Sequence, residues 1–186
     1  MLGATRQKGG SITKKENVVK FEPKEKSDKQ INKIKLEKKT GAVSVGFEKN
    51  TDSGKKETTF TGFQEARKEF KETFQKLKGV MFDILPCLND DYQDKTVITG
   101  YSISYKGKDL MGIVMTAQIE LPSQNCPLNI NTPFVKFQSY CEANGIDDET
   151  QINRTHQKVL SEIFEYTERY IKGESAKQQL PLIKEG

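Results

Sequence analysis

Thr96-Val97-Ile98-Thr99-Gly100-Tyr101-Ser102-Ile103-Ser104-Tyr105-Lys106-Gly107-Lys108-Asp109-Leu110-Met111-Gly112-Ile113-Val114-Met115-Thr116-Ala117-Gln118-Ile119-Glu120-Leu121 is the stretch that decides the fold. Val97, Thr99, Tyr101, Ile103 and Tyr105 alternate with Ile98, Gly100, Ser102, Ser104 and Lys106. A period of two predicts a strand with two unlike faces. Lys106-Gly107-Lys108-Asp109 reads as a turn, and Met111, Ile113, Met115, Ala117, Ile119 and Leu121 then alternate back as far as Pro122. The expectation is an antiparallel hairpin of about ten residues a side, where a strand more often has about 5–6.

Upstream, the same logic predicts a second hairpin. Ile34 and Leu36 alternate with Lys33, Lys35 and Glu37, Lys38-Lys39-Thr40-Gly41 turns the chain, and Val43, Val45 and Phe47 return. Asn50-Thr51-Asp52-Ser53-Gly54 is another turn cluster, and Thr58-Thr59-Phe60-Thr61 a short third strand. Residues 63–85 carry apolar side chains at steps of three and four (Phe63, Ala66, Phe70, Phe74, Leu77, Val80, Met81, Ile84, Leu85), which predicts one amphipathic helix stopped by Pro86. Downstream, Leu128–Thr132 reads as a strand ended by Pro133. A last helix is expected over 148–172, with Asp147, Asp148 and Glu149 favouring its N-terminus through the helix dipole and Gly173 stopping it. No βαβ rhythm with a glycine-rich first turn appears, so a doubly wound parallel sheet is not expected. The sequence predicts an α+β fold: an antiparallel sheet of two β-hairpins plus short strands, with two amphipathic helices packed mostly on one face.

Charge divides the chain. Residues 1–56 hold 15 Lys+Arg and 7 Asp+Glu, a net of +8, whereas 57–186 hold 15 and 19, a net of −4. Residues 1–30 are lysine-rich and nearly coreless, which predicts a basic disordered arm, because too little apolar area can be buried to offset chain entropy. A single α+β domain is expected over 31–173 and a polar tail over 174–186. Hydrophobic residues are only 34% of the 186, and mean hydropathy is -0.71. No apolar run approaches the roughly 18 residues of a membrane helix, and the opening residues have no apolar core of a secretory signal.

Catalytic and metal chemistry find little support. Cys87, Cys126 and Cys141 lack a C-x-x-C spacing, and His156 is the single histidine, so neither a zinc set nor a Cys–His pair is expected. Three reduced thiols in a reducing cytoplasm are the simpler reading. Asp90, Asp91 and Asp94, and separately Asp147, Asp148 and Glu149, are acidic clusters able in principle to hold a divalent cation with a phosphate substrate. The first sits in a loop and the second at a helix start, both ordinary places for carboxylates. No phosphate-loop or EF-hand spacing occurs. The expectation is a protein that is not an enzyme and uses no cofactor and no metal.

A binding surface remains. Lys14 and Lys15 in the arm, Lys33, Lys35, Lys38 and Lys39 in the first hairpin, and Tyr105, Lys106 and Lys108 at the tip of the second are the candidate nucleic-acid-binding residues. Lysines neutralise phosphates with little regard to sequence, and a strand tyrosine can stack an unpaired base. Tyr101 and Tyr105 share their expected face with Val97 and Ile103, however, so the simpler reading is a buried core face with Tyr105 near its edge.

Three stretches, Lys33–Val45, Thr99–Tyr105 running on to Leu128–Pro133, and Tyr170–Gln179, resemble small early-region accessory proteins of tailed phages and prophages. The resemblance covers about residues 31–182 and implies a non-enzymatic role in the cytoplasm of a bacterial host, near DNA replication or recombination. The leading expectation is thus a protein that binds nucleic acid, as single-stranded DNA, or a replication or recombination complex. The alternative is a protein-binding inhibitor or adaptor acting on a host or defence enzyme. No membrane partner is expected.

Overall fold

A computed structural model describes residues 29–51, 54–121 and 126–176. Residues 1–28 of the expected arm, Lys14 and Lys15 among them, and the tail beyond Ala176 lie outside the described residues, whereas Lys29 and Gln30, expected in the arm, belong to the first strand. The fold is mixed α+β, built on an eight-stranded, mostly antiparallel sheet. Its strands are β1 (Lys29–Leu36), β2 (Val43–Thr51), β3 (Gly54–Thr61), β4 (Thr96–Lys106), β5 (Asp109–Ile119), β6 (Leu128–Asn131), β7 (Val135–Phe137) and β8 (Gln151–Ile152). They run in the order β3-β2-β1-β4-β5-β7-β8, with β6 and β7 sharing the far edge of β5. Among the described residues only β7 and β8 pair in parallel.

Both long hairpins form where alternation predicts them, and β3 is longer than expected. One face of the β4 strand differs from expectation. The register shifts between Ile98 and Gly100, a β-bulge, so Ile98 joins Tyr101 and Ile103 in the core while Val97 and Thr99 turn to the other side. β1 ends at Leu36 and pairs with β4 only at Gly100–Ser102, so Ile98 has no partner on that strand. Gln75 takes that place. Its Nε2 donates to the Ile98 carbonyl (2.9 Å), and its Oε1 accepts from the Ile98 amide (2.8 Å).

The helices are α1 (Lys68–Gln75), α2 (Lys78–Ile84), α3 (Gln138–Asn144) and α4 (Arg154–Ile171). The single helix expected over 63–85 is two. Residues 62–67 stay non-helical against the first hairpin, with a bend at Gln64 and the Ala66 amide on the Gly41 carbonyl, and Phe63 points away, 94% exposed. The chain breaks again at Lys76–Leu77, where Leu77 leaves helical geometry. The last helix begins at Arg154 rather than 148, because Asn153 caps it by accepting from the His156 amide (2.9 Å). Gln151–Ile152 is a strand instead, with Ile152 buried in the core, so Asp147, Asp148 and Glu149 precede it in a loop. Sequence periodicity also misses β7 and α3, whose three and seven residues are too short to show a period.

The helices cover one sheet face, where Ile34, Val45, Ile98, Tyr101, Ile113, Met115 and Ala117 meet Phe70, Phe74, Leu77, Met81, Leu160 and Ile163. An aromatic chain ties the layers: Tyr166 stacks on Phe70, Phe70 meets Phe74 edge-on, and Phe74 meets Tyr101 at 4.8 Å. The Tyr101 hydroxyl donates to the Phe74 carbonyl (2.5 Å), one of the α1 end carbonyls that has no helical partner. Among the described residues no helix is long and apolar enough to cross a membrane.

Candidate nucleic-acid interface

Among the described residues no helix covers the other sheet face. Side chains directly opposite one another in register point to the same side, so the pairing defines rows across it. One row runs Thr61, Ser44, Lys35, Gly100, Thr116, Asn131. The next runs Thr59, Gly46, Lys33, Ser102, Val114. Each lysine thus stands between two small residues, Lys35 between Ser44 and Gly100 and Lys33 between Gly46 and Ser102. Bulky neighbours would cover the ammonium groups; these leave them standing in a trough. At Gly100 a Cβ would lie 3.5 Å from Cγ of Lys35 and 3.2 Å from the Ile34 carbonyl oxygen, so its lack of side chain lets the lysine stem lie low across the sheet.

The trough opens into a groove of about 920 Å³ lined by Lys33, Lys35, Lys38 and Lys39 over a floor that includes Ser44, Thr99, Thr116 and Gln118. Four of the sequence-predicted lysines therefore converge. Alternation sends Lys33 and Lys35 to this face, and the β1–β2 turn carries Lys38 and Lys39 to its rim. Glu37 and Glu120 are the carboxylates of the lining; Lys38 pairs with Glu120, and Glu37 accepts from the Thr40 hydroxyl (2.8 Å). Lys33, Lys35 and Lys39 have no ion pair among the described residues. A second groove on the same face, about 580 Å³, is electrically balanced, with Lys33 and Lys55 against Glu48 and Glu57. The cationic excess belongs to the first.

The remaining candidates lie elsewhere. Tyr105 is half-buried against the core and its hydroxyl donates to the Ile31 carbonyl (2.9 Å); burial pushes its pKa up to about 12. Tyr101 is fully buried, and burial raises its pKa further. The structure gives both tyrosines packing roles, so neither is a free platform for a base. Lys106 reaches α3 instead, with Nζ 3.3 Å from Oδ1 of Asn144 and 5.9 Å from the centre of the Tyr140 ring. Lys108 is exposed in the β4–β5 turn. Cys141 is buried and Cys87 and Cys126 are exposed, and among the described residues no three of His, Cys, Asp and Glu stand close enough to hold a metal ion. Asp90 and Asp91 are held in a short 3-10 turn by Asn89 and Gln93. Asp148 pairs with Lys136 at 3.0 Å, which lowers the Asp148 pKa and raises that of Lys136.

One residue of this face was missed by sequence reasoning. Phe134 precedes β7 and is 41% exposed. Its ring lies where a Cβ on Gly112 would be (2.6 Å to Cζ), and Gly112 faces the open side of β5. The signal was available in Phe134-Val135-Lys136-Phe137, where alternation opposes Phe134 and Lys136 to the buried Val135 and Phe137. No family model, no curated protein and no solved structure matches the chain.

Proposed function

We propose that the protein binds nucleic acid, as a single strand, on the open face of its sheet, and acts by binding rather than by chemistry of its own. The observation that carries this reading is the convergence of Lys33, Lys35, Lys38 and Lys39 on one groove floored by hydroxyl and amide side chains. Lys33 and Lys35 are two residues apart on a strand, about 6.8 Å, which suits neighbouring phosphates of an extended backbone. Lysines give point-charge attraction, and serine, threonine and glutamine supply donors to phosphate oxygens without reading sequence. The resemblance to phage accessory proteins supports a setting near replication or recombination in a bacterial cytoplasm.

The test is fluorescence anisotropy of the full chain with labelled single-stranded and duplex DNA across a salt series. Binding that falls with salt is expected. Replacing Lys33, Lys35 and Lys39 together by alanine should flatten the single-strand log–log slope by about 2, at roughly 0.7 per phosphate contact. Ser102→Glu, which sets a carboxylate beside Lys33, should weaken binding without unfolding the protein. Absence of binding at low salt overturns the reading. Removing residues 1–30 measures what Lys14 and Lys15 add.

The second reading, a protein-binding inhibitor or adaptor, has one observation in its favour. β3 is an exposed edge strand along nearly its whole length, and such an edge can accept a partner strand. Its Lys55 and Lys56 are the kind of residues that discourage edge pairing, so the groove is preferred. A stoichiometric complex with a protein partner that survives nuclease treatment would favour the edge.

A further inference from the structure

Phe134 has no place in the lysine groove, yet it occupies the same sheet face. Phe70, Phe74, Tyr101 and Phe137 are buried in the core. Phe134 instead stands with its ring over Gly112, on a floor with no side chain to lift it or cover it. Register fixes where it is. Lys33 faces Ser102, Ser102 faces Val114, and Gly112 is the next residue of β5 on that side, opposite Ser104. Two strand spacings across and one two-residue step along separate Lys33 from Gly112, about 12 Å in all. Between them lie Ser102, Ser104 and Val114, none large enough to wall off one from the other.

Resting on the reading above, we propose that Phe134 is a stacking seat for an unpaired base of a single strand whose phosphates are held by Lys33 and Lys35. The chemistry is complementary in two ways. Unpaired lysines attract the backbone and hold it near the sheet, while a half-exposed aromatic side chain can stack on a base of any identity. In a duplex the π-faces are used in stacking between base pairs, so Phe134 has nothing to offer it. This gives the face a means of preferring single strands that lysines alone do not have. Phe134 therefore governs strand preference, and the lysines govern salt dependence.

The experiment compares wild type, Phe134→Ala, Phe134→Leu and Phe134→Tyr by anisotropy on a labelled oligothymidylate and on a duplex of equal length. Alanine and leucine are expected to weaken single-strand binding about 5- to 150-fold, the span of about 1–3 kcal/mol per stacked base. Duplex binding should change less than about twofold, the salt slope should stay as in wild type, and tyrosine should restore single-strand affinity. The chain has no tryptophan, so Phe134→Trp adds an independent readout: its fluorescence should be quenched by the single strand and left unchanged by the duplex. Wild-type binding with alanine and leucine variants of undiminished single-strand affinity overturns the assignment while leaving the lysine groove intact. So does an unquenched indole in a saturated complex of the Phe134→Trp variant, even if the truncated variants fold poorly. No binding by wild type overturns the underlying function instead.

Discussion

The two faces of the sheet are made by the same strands and have opposite chemistry. On β1, Ile34 and Leu36 are buried while Lys33 and Lys35, one residue away, are exposed. On β5, Ile113, Met115 and Ala117 are sealed under helices while Thr116 and Gln118 line a groove. The covered face is closed by size, with large side chains interlocking across layers. The open face is kept open by smallness, since Gly46, Ser44, Gly100 and Ser102 flank its lysines. A face meant only for solvent could carry long charged side chains throughout. The combination of isolated lysines and small neighbours is what separates a binding trough from an ordinary wet surface.

If that division is real, stability and binding should respond to different faces. The largest stability loss belongs to Phe74→Ala, which removes the ring joining Tyr101 to Phe70. A loss of about 3–5 kcal/mol is expected in urea denaturation, with DNA affinity of the remaining folded protein unchanged. A loss under about 1 kcal/mol would mean that the aromatic chain does not hold the layers together. Gln75→Ala comes next. It strips both hydrogen bonds from the Ile98 backbone at the bulge and should cost about 2 kcal/mol. Hydrogen exchange should show the Ile98 amide opening first; if it stays as protected as its neighbours, the glutamine is not what closes the bulge.

That bulge also marks where the sequence stopped being readable. Alternation placed both long hairpins and put Lys33 and Lys35 opposite Ile34 and Leu36, because each side chain's face follows from its parity. Parity fails at an inserted residue. Beyond the shift at Ile98–Gly100 the faces of Val97 and Ile98 exchange, and no local signal announces it. Phe63 sits at helical spacing from Ala66 and Phe70, yet Gly62 is drawn under Tyr170, whose hydroxyl lies where a Cβ would be, and the chain stays non-helical to Arg67. Tertiary contacts decide that boundary. For the site, the lysines were legible as a pattern within one strand. For Phe134, alternation with Val135 shows only which side it takes; its seat depends on Gly112, 22 residues away in the chain but beneath it in the sheet.

The open face supplies the contrasting prediction. Lys33→Ala with Lys35→Ala should change stability by no more than about 0.5 kcal/mol, since neither side chain carries an ion pair among the described residues. The same pair should flatten the single-strand salt slope by about 1.4. A destabilisation comparable with that of Gln75→Ala would show these lysines to be structural, and the division between the faces would collapse.

The smallest effect tests the border of the open face, where Lys136, two residues from Phe134, pairs with Asp148 in the loop before β8. The hydrogen bond from Lys136 lowers the Asp148 pKa, and the same contact raises that of Lys136. A carboxylate with a depressed folded pKa contributes stability that is fully present above its unfolded value, about 3.9, and is lost as pH falls through the folded one. A lysine with a raised folded pKa contributes stability present below about 10.4 and lost as pH rises further. The difference in Tm between wild type and Asp148→Asn should therefore be small and flat from about pH 5 to 9, and shrink on either side. Both groups are partly solvated, so screening by salt should reduce it further. A difference that instead peaks in acid would assign the pH dependence to some other group and leave this pair without a role in fixing the segment that carries Phe134.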